Sequence, residues 1–360
     1  MSSGSIGQPQ ASDAASLERL FGSTDVLPLW IAEPSLRLAP PVVEALEARA
    51  GGHWYGYEIR ERELRDLFWQ WSSERHGWDG SGTSTTYSPS IGTTIGVVID
   101  LLTDPGDGVI LQPPVFTDFK PLVRRAKREP ITNPLVLEGG VYRIDLDHLE
   151  EVAADPRTKL MILCNPHNPV GRVWTTDELS AAGDICAKHD VFVFSDEIHG
   201  DIVVGEHPFV PFGSLAHDES LRWASGASPI KTFGLAGVAD TFFVTPDEAV
   251  MAGFRSESSR LHLVRNNVFA LAAMQAAFRD GGEWVDEFVQ TVSQRFDLVR
   301  RGLPDPLGLI EPEGTYLAWL DFRGLGMEVP ELSRWLVDEA RLALSPGHWF
   351  GRQGAGFARM

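Results

Sequence analysis

The chain has 360 residues and carries 31 Lys and Arg against 50 Asp and Glu, a formal net charge of −19. That charge repels phosphate backbones and anionic lipid, which argues against nucleic-acid and membrane-surface partners and for a small-molecule ligand. Hydrophobic residues at 43% and charged residues at 22% exclude a disordered or fibrous chain, and the length suits about two packed lobes.

Residues 1–15, MSSGSIGQPQASDAA, are small and polar with no apolar stretch, so they read as a flexible N-terminal arm rather than a signal or anchor. Between Ile59 and His76, Leu64, Phe68 and Trp71 recur at three- and four-residue spacing, which predicts an amphipathic scaffold helix. A second helix is expected around Val97–Leu102. Val109–Gln112, Leu160–Cys164, Val191–Ser195 and Thr241–Val244 read as buried strands. The run Arg124-Arg125-Ala126-Lys127-Arg128 reads as a solvated helix face. Thr175 and Glu178 stand at capping-box spacing before a helix that reaches about His189. Strand, helix and strand in succession form one right-handed crossover of a mainly parallel sheet. After about residue 250 the pattern turns helical through Phe278, Trp284 and Phe296, and Thr315–Phe322 reads as a further strand. No window is apolar enough for a transmembrane helix. Cys164 and Cys186 lack CxxC spacing, so neither a disulfide scaffold nor a metal site is expected, and a cytoplasmic location fits.

Ligands of an open parallel sheet gather beyond the carboxyl ends of its strands. There the sequence places Asn165-Pro166-His167-Asn168-Pro169-Val170-Gly171, then Asp196-Glu197-Ile198-His199, then Ser228-Pro229-Ile230-Lys231-Thr232-Phe233-Gly234. Together these offer an amide, a carboxylate with an imidazole, and a lysine, which is what pyridoxal 5'-phosphate requires. Its aldehyde needs an amine for a Schiff base, for which Lys231 is the candidate. Its ring nitrogen stays protonated beside a buried carboxylate, for which Asp196 is the candidate. Asn168 or His199 can donate to the phenolic oxygen. Ser88–Thr94, ahead of a helix, offers backbone N–H groups to the phosphate. Gly351–Gly356 superficially suggests a dinucleotide loop, but the spacing is wrong and no βαβ unit follows. GxSxG and GxxxxGK[ST] are both absent.

The chain resembles the fold-type I pyridoxal-phosphate enzymes of the class I/II aminotransferase group, and most closely their cystathionine β-lyase, or carbon–sulfur lyase, branch. The likeness runs through Leu27–Ala32, Tyr55-Gly56-Tyr57, Asn165–Gly171, Ser195–His199, Lys231–Gly237, Pro312–Tyr316 and Phe350–Arg359 in the expected order. The Trp-Ile-Ala-Glu opening and the His of Asp-Glu-Ile-His favour the lyase branch.

The resemblance implies an α/β, fold-type I transferase fold. A large cofactor domain at 46–282 carries the mainly parallel sheet, and 16–45 with 283–360 forms a smaller α/β domain. It also implies that Lys231 holds the cofactor and moves the Cα proton, that Asp196 holds the pyridinium, and that Asn168 and His199 sit at the phenolic oxygen. Ser90, Ile91 and Gly92 would cradle the phosphate, joined by Ser228 and by Tyr57 from a second subunit. Phe116 would stack on the ring, while Arg359 and the Ala32 backbone would take the substrate carboxylate, a job suited to the guanidinium fork. The chain departs from the family where Phe116 replaces the branch's usual Tyr, where Ala239 replaces a phosphate-binding Arg, and where Pro229-Ile230 precedes the lysine.

The resulting expectation is a homodimeric lyase with its active site at the interface, acting on a small amino-acid substrate. It eliminates a thiol from a cysteine conjugate to give pyruvate and ammonia. Transamination by the same residues is the alternative, and a cofactor-binding regulator acting through a protein partner is a further one.

Overall fold

The computed structural model describes residues 9–58, 61–215, 220–264 and 267–360. Of the expected arm, residues 9–15 are described: Gln10–Ser12 form a 3₁₀ turn, and Asp13 accepts from Ser16 N to cap helix α1, Ala14–Phe21. The next amphipathic helix named here, α2, runs Glu61–His76; the first two residues of the sequence reading, 59 and 60, lie outside the described residues. Its Leu64, Phe68 and Trp71 are buried, as their spacing requires.

A seven-stranded sheet forms the centre. Its strands are β1 (Ser84–Ser88), β2 (Gly108–Leu111), β3 (Glu129–Thr132), β4 (Thr158–Cys164), β5 (Phe192–Asp196), β6 (Trp223–Ala227) and β7 (Thr241–Thr245). The spatial order is β1-β7-β6-β5-β4-β2-β3, with β7 antiparallel to both neighbours and the pairs from β6 to β3 parallel. Central strands β4 and β5 are buried on both faces, which is why they read as continuous apolar runs instead of alternating ones. Helices α3 (Ile91–Leu102), α4 (Phe119–Arg125) and α5 (Thr176–Lys188) cover the faces, the last opened by the Thr175–Glu178 capping box.

The basic run at 124–128 is a correction to the sequence reading. Only Arg124 and Arg125 belong to α4. Lys127 has a φ of 61°, and Arg128 is buried, bonded to Asp100, Thr103 and the Thr103 carbonyl. Arg128 thus ties the end of α3 to the start of β3, a tertiary role that charge counting does not reveal.

Beyond a long helix α6 (Gly282–Gly302), a four-stranded antiparallel sheet packs β8 (Gly308–Leu309), β9 (Trp319–Asp321), β10 (Ser345–Pro346) and β11 (Phe357–Arg359) in the order β8-β9-β11-β10. The strand expected over 315–322 is shorter, because Thr315 takes a φ of 66° and turns the chain before Trp319. Phe288, Phe296, Leu320, Leu336 and Ala358 join in a core between α6 and this sheet. Full burial of the Phe and Leu side chains contributes about 1.5–3 kcal/mol each. No helix among the described residues is long and apolar enough to cross a membrane.

Candidate active site

The parallel strands bring their carboxyl ends to one edge. Asp196 closes β5 and pairs with Cys164 of β4 on one side and Gly226 of β6 on the other. Gly226 is required there, since a Cβ would stand 2.4 Å from Ile91 Cδ1 and 2.9 Å from Phe194 Cζ. Asp196 accepts from Ile198 N at 3.3 Å. Burial pushes its carboxyl up to about 7, against the pull of the Ile198 N–H and the Lys231 charge.

Lys231 sits in the turn after β6, and its Nζ donates to the Ala32 carbonyl at 2.8 Å. Burial and the Arg359 charge lower its pKa, opposed by Asp196 and Glu33. The turn is pinned on both sides of the lysine. Ser228 Oγ donates to Asp240 O at 2.7 Å and accepts from Ile230 N at 3.3 Å, while Thr232 Oγ1 bonds Asp201 Oδ2 at 2.9 Å. Asp201 is part-buried and also takes Trp71 Nε1 and His76 Nε2, both at 2.9 Å.

Arg359, on β11, reaches back to the large sheet. Its Nη1 donates to Asn168 Oδ1 at 3.1 Å, and its Nη2 to Trp30 O at 2.8 Å and Ser345 Oγ at 3.2 Å. The guanidinium lies 4.8 Å over the Phe350 ring, and burial brings its pKa down to about 10. Tyr316 Oη donates to the same Ala32 carbonyl that accepts from Lys231, at 2.8 Å, and its ring meets His199 edge-on at 5.9 Å. His199 is buried with neither ring nitrogen hydrogen-bonded, and burial with the Lys231 and Arg359 charges pushes its pKa well down, which favours the neutral imidazole.

Ser90 is the N-cap of α3 and accepts from Thr93 N at 3.1 Å, with Ile91 and Gly92 opening the helix. This helix start lies at the same sheet edge as Ser228: Ser88 pairs with Thr241, and Ala227 pairs with Phe242. Ala239, at the position of the family's phosphate-binding Arg, is buried. Phe116 follows β2, half-buried against Phe119, in a loop held to Phe350 by Val115 N donating to Phe350 O at 3.0 Å.

Lys231, Asp196, Asn168, His199, Ala32 and Arg359 are thus linked by bonds and charge into one buried cluster. Ser90, Ile91, Gly92 and Ser228 lie along its edge. Tyr57 stands apart, 83% exposed within the single chain. Tyr316, Ser345, the Trp30 carbonyl and Asp201 were not assigned roles from sequence. Tyr316 and Trp30 lie in the Pro312–Tyr316 and Leu27–Ala32 segments that carry the family likeness, whereas Ser345 and Asp201 lie outside every such segment.

The residues suit pyridoxal phosphate on their own chemistry. Two orphaned imidazole nitrogens face the cluster, and a carboxyl whose pKa burial has raised needs a basic nitrogen beside it to stay ionised. A lysine with depressed pKa supplies the amine.

The sequence profile of aminotransferase class I and II matches residues 24–360. The chain belongs to that family. It is 36% identical to cystathionine beta-lyase PatB of Bacillus subtilis over 95% of this chain and 89% of the relative. A PLP-bound putative aminotransferase from Clostridium difficile superposes with a TM-score of 0.90 at 34% identity, covering 98% of this chain and 91% of that one. Cystalysin from Treponema denticola, which contains pyridoxal 5'-phosphate, superposes at 0.88 with 28% identity over 94% of this chain and 86% of its own. This family member has the fold-type I architecture and is a pyridoxal-phosphate-dependent enzyme.

Proposed function

We propose that the protein is a carbon–sulfur β-lyase that eliminates a thiol from a cysteine conjugate to give pyruvate and ammonia. The observation that carries this reading is the likeness to PatB, named a cystathionine beta-lyase, over 95% of the chain. When bound, the cofactor supplies an electron sink for the Cα carbanion.

The chain's own residues supply the remainder. Arg359, its fork fixed by Asn168, Trp30 and Ser345, binds and orients the substrate carboxylate. Lys231 takes the Cα proton at its Nζ, and the burial that lowers its pKa favours the uncharged amine that a base requires. The C–S bond then breaks, the thiolate carries away the electron pair, and the released enamine hydrolyses to pyruvate and ammonia. Asp196 keeps a neighbouring cationic nitrogen protonated, and neutral Asn168 and His199 offer hydrogen bonds to a phenolate-type oxygen. Ser90, Ile91 and Gly92 would hold a phosphate through N–H groups at the α3 start, the Ser228 hydroxyl would turn from the Asp240 carbonyl to join them, and Phe116 would stack on the ring.

A second copy completes the site in this reading. Trp54, Tyr55 and Tyr57 form an exposed aromatic strip, 58%, 52% and 83% accessible, which suits coverage by a partner to which Tyr57 contributes a hydroxyl. Residues 46–282 serve as the cofactor domain, with 16–45 and 283–360 as the smaller one. Two buried free cysteines fit a reducing cytoplasm.

Transamination is the second reading, favoured by the superposition on a putative aminotransferase. Purified holoenzyme incubated with cystathionine, and separately with an amino acid plus 2-oxoglutarate, separates the two. Pyruvate and ammonia without glutamate support the lyase, and glutamate formation overturns it.

A further inference from the structure

One cavity outside the cluster described above is lined by cations. It has a volume of about 550 Å³, and its lining includes Lys120, Arg124 and Arg125 from α4 and its first turn, and Arg352 from the loop between β10 and β11. No Asp or Glu stands among its described lining residues, in a chain with 50 acidic residues against 31 basic ones. Among the described residues none of the four cations forms an ion pair with a carboxylate. Arg128, three residues further on, is paired with Asp100, and Arg172 with Glu178 and Glu313.

Helix energetics do not account for the cluster. Arg124 and Arg125 suit the last turn of α4, but Lys120 stands in its first turn, where the macrodipole disfavours a cation. Arg352 comes from a different element, more than 200 positions away in the sequence numbering. Its loop is fixed against the large sheet: Gly351, at φ 127°, packs so that a Cβ would stand 2.7 Å from Pro113 Cβ, and Val115 N holds Phe350 O. The cations are therefore brought to one cavity by tertiary structure.

Phe116 and Phe350 line this cavity, and Phe350 is also the ring beneath Arg359 at 4.8 Å. The cavity thus shares a wall with the place assigned above to the substrate carboxylate. We propose that it receives the distal part of the substrate, and that the preferred conjugates carry a net-negative tail on sulfur, such as an S-carboxyalkyl group. A zwitterionic tail such as that of cystathionine gains less, because its ammonium is repelled by the same four cations. This inference rests on the lyase reading for the chemistry, but its binding part is measurable without it.

The test uses cofactor-loaded protein with S-(3-carboxypropyl)-L-cysteine and its neutral isostere S-(3-carbamoylpropyl)-L-cysteine. At low salt the acid is expected to exceed the amide by about tenfold in kcat/KM and in affinity by calorimetry. That ratio should fall toward about twofold in Arg352→Gln, in Arg124→Gln, and in wild type at ~0.5 M NaCl, where exposed charges are screened. The variants should lower the acid's constants more than the amide's. A ratio near one, or a ratio that survives both variants and salt, overturns the inference. If neither compound yields pyruvate, the lyase reading fails, and the calorimetric ratio alone decides the tail preference.

Discussion

Arg359 donates to the side-chain oxygen of Asn168 at 3.1 Å, a bond between the last strand of the small sheet and the loop after β4. It couples the group assigned to the substrate carboxylate to the amide assigned to the cofactor oxygen. Arg359→Ala is expected to raise the substrate Kd about 100-fold, roughly 2.7 kcal/mol, while cofactor affinity changes by less than about fivefold. Titration of cofactor into apoprotein, beside steady-state kinetics, checks this. Equal losses in both would assign Arg359 a structural role.

Lys231→Ala is expected to abolish the visible absorption band of the cofactor-loaded protein and to reduce turnover by at least about 10³-fold. An unchanged spectrum would identify another amine as the cofactor's partner.

Glu197 is buried and accepts from Phe212 N at 2.8 Å, and burial pushes its carboxyl up to about 8 from 4.5. The folded state therefore binds more protons than the unfolded one between those values, so this group costs stability as pH rises through the window, by up to about 1.4 kcal/mol per unit. Glu197→Gln keeps an acceptor and removes the titration. Its melting temperature should rise relative to wild type from pH 5 to 8, and parallel pH profiles would refute the assignment.

Asp201 takes hydrogen bonds from Trp71, His76 and Thr232. Burial works against its ionisation, but the His76 hydrogen bond and charge, with Trp71 and Thr232, bring the pKa below the usual carboxylate value. Its stabilisation is present above the unfolded pKa and lost as pH falls. Asp201→Ala should cost on the order of 3–5 kcal/mol in denaturant titrations at pH 7, and less at pH 3. Because Thr232 follows Lys231, the pH midpoint of the visible cofactor band should also shift, whereas a purely structural loss would leave that midpoint in place.

Much of the fold was legible because its signals are local. The apolar runs of β4 and β5, the Thr175–Glu178 box and the spacing of Leu64, Phe68 and Trp71 each depend on neighbours within a few residues. Elements ended where tertiary geometry intervened. Thr315 shortened its strand by adopting a left-handed φ, and Arg128 left the solvated face to bond Asp100 and Thr103.

By itself the sequence determined the order and chemistry of the strand-end residues, because covalent order and side-chain pKa classes are written directly into the chain. Only the tertiary structure decided that Lys231 and Tyr316 share the Ala32 carbonyl, that Arg359 meets Asn168, and that Arg352 lines one cavity with the cations of α4. Those pairings join segments up to hundreds of residues apart. Their geometry is set by how two sheets pack, which no local pattern encodes.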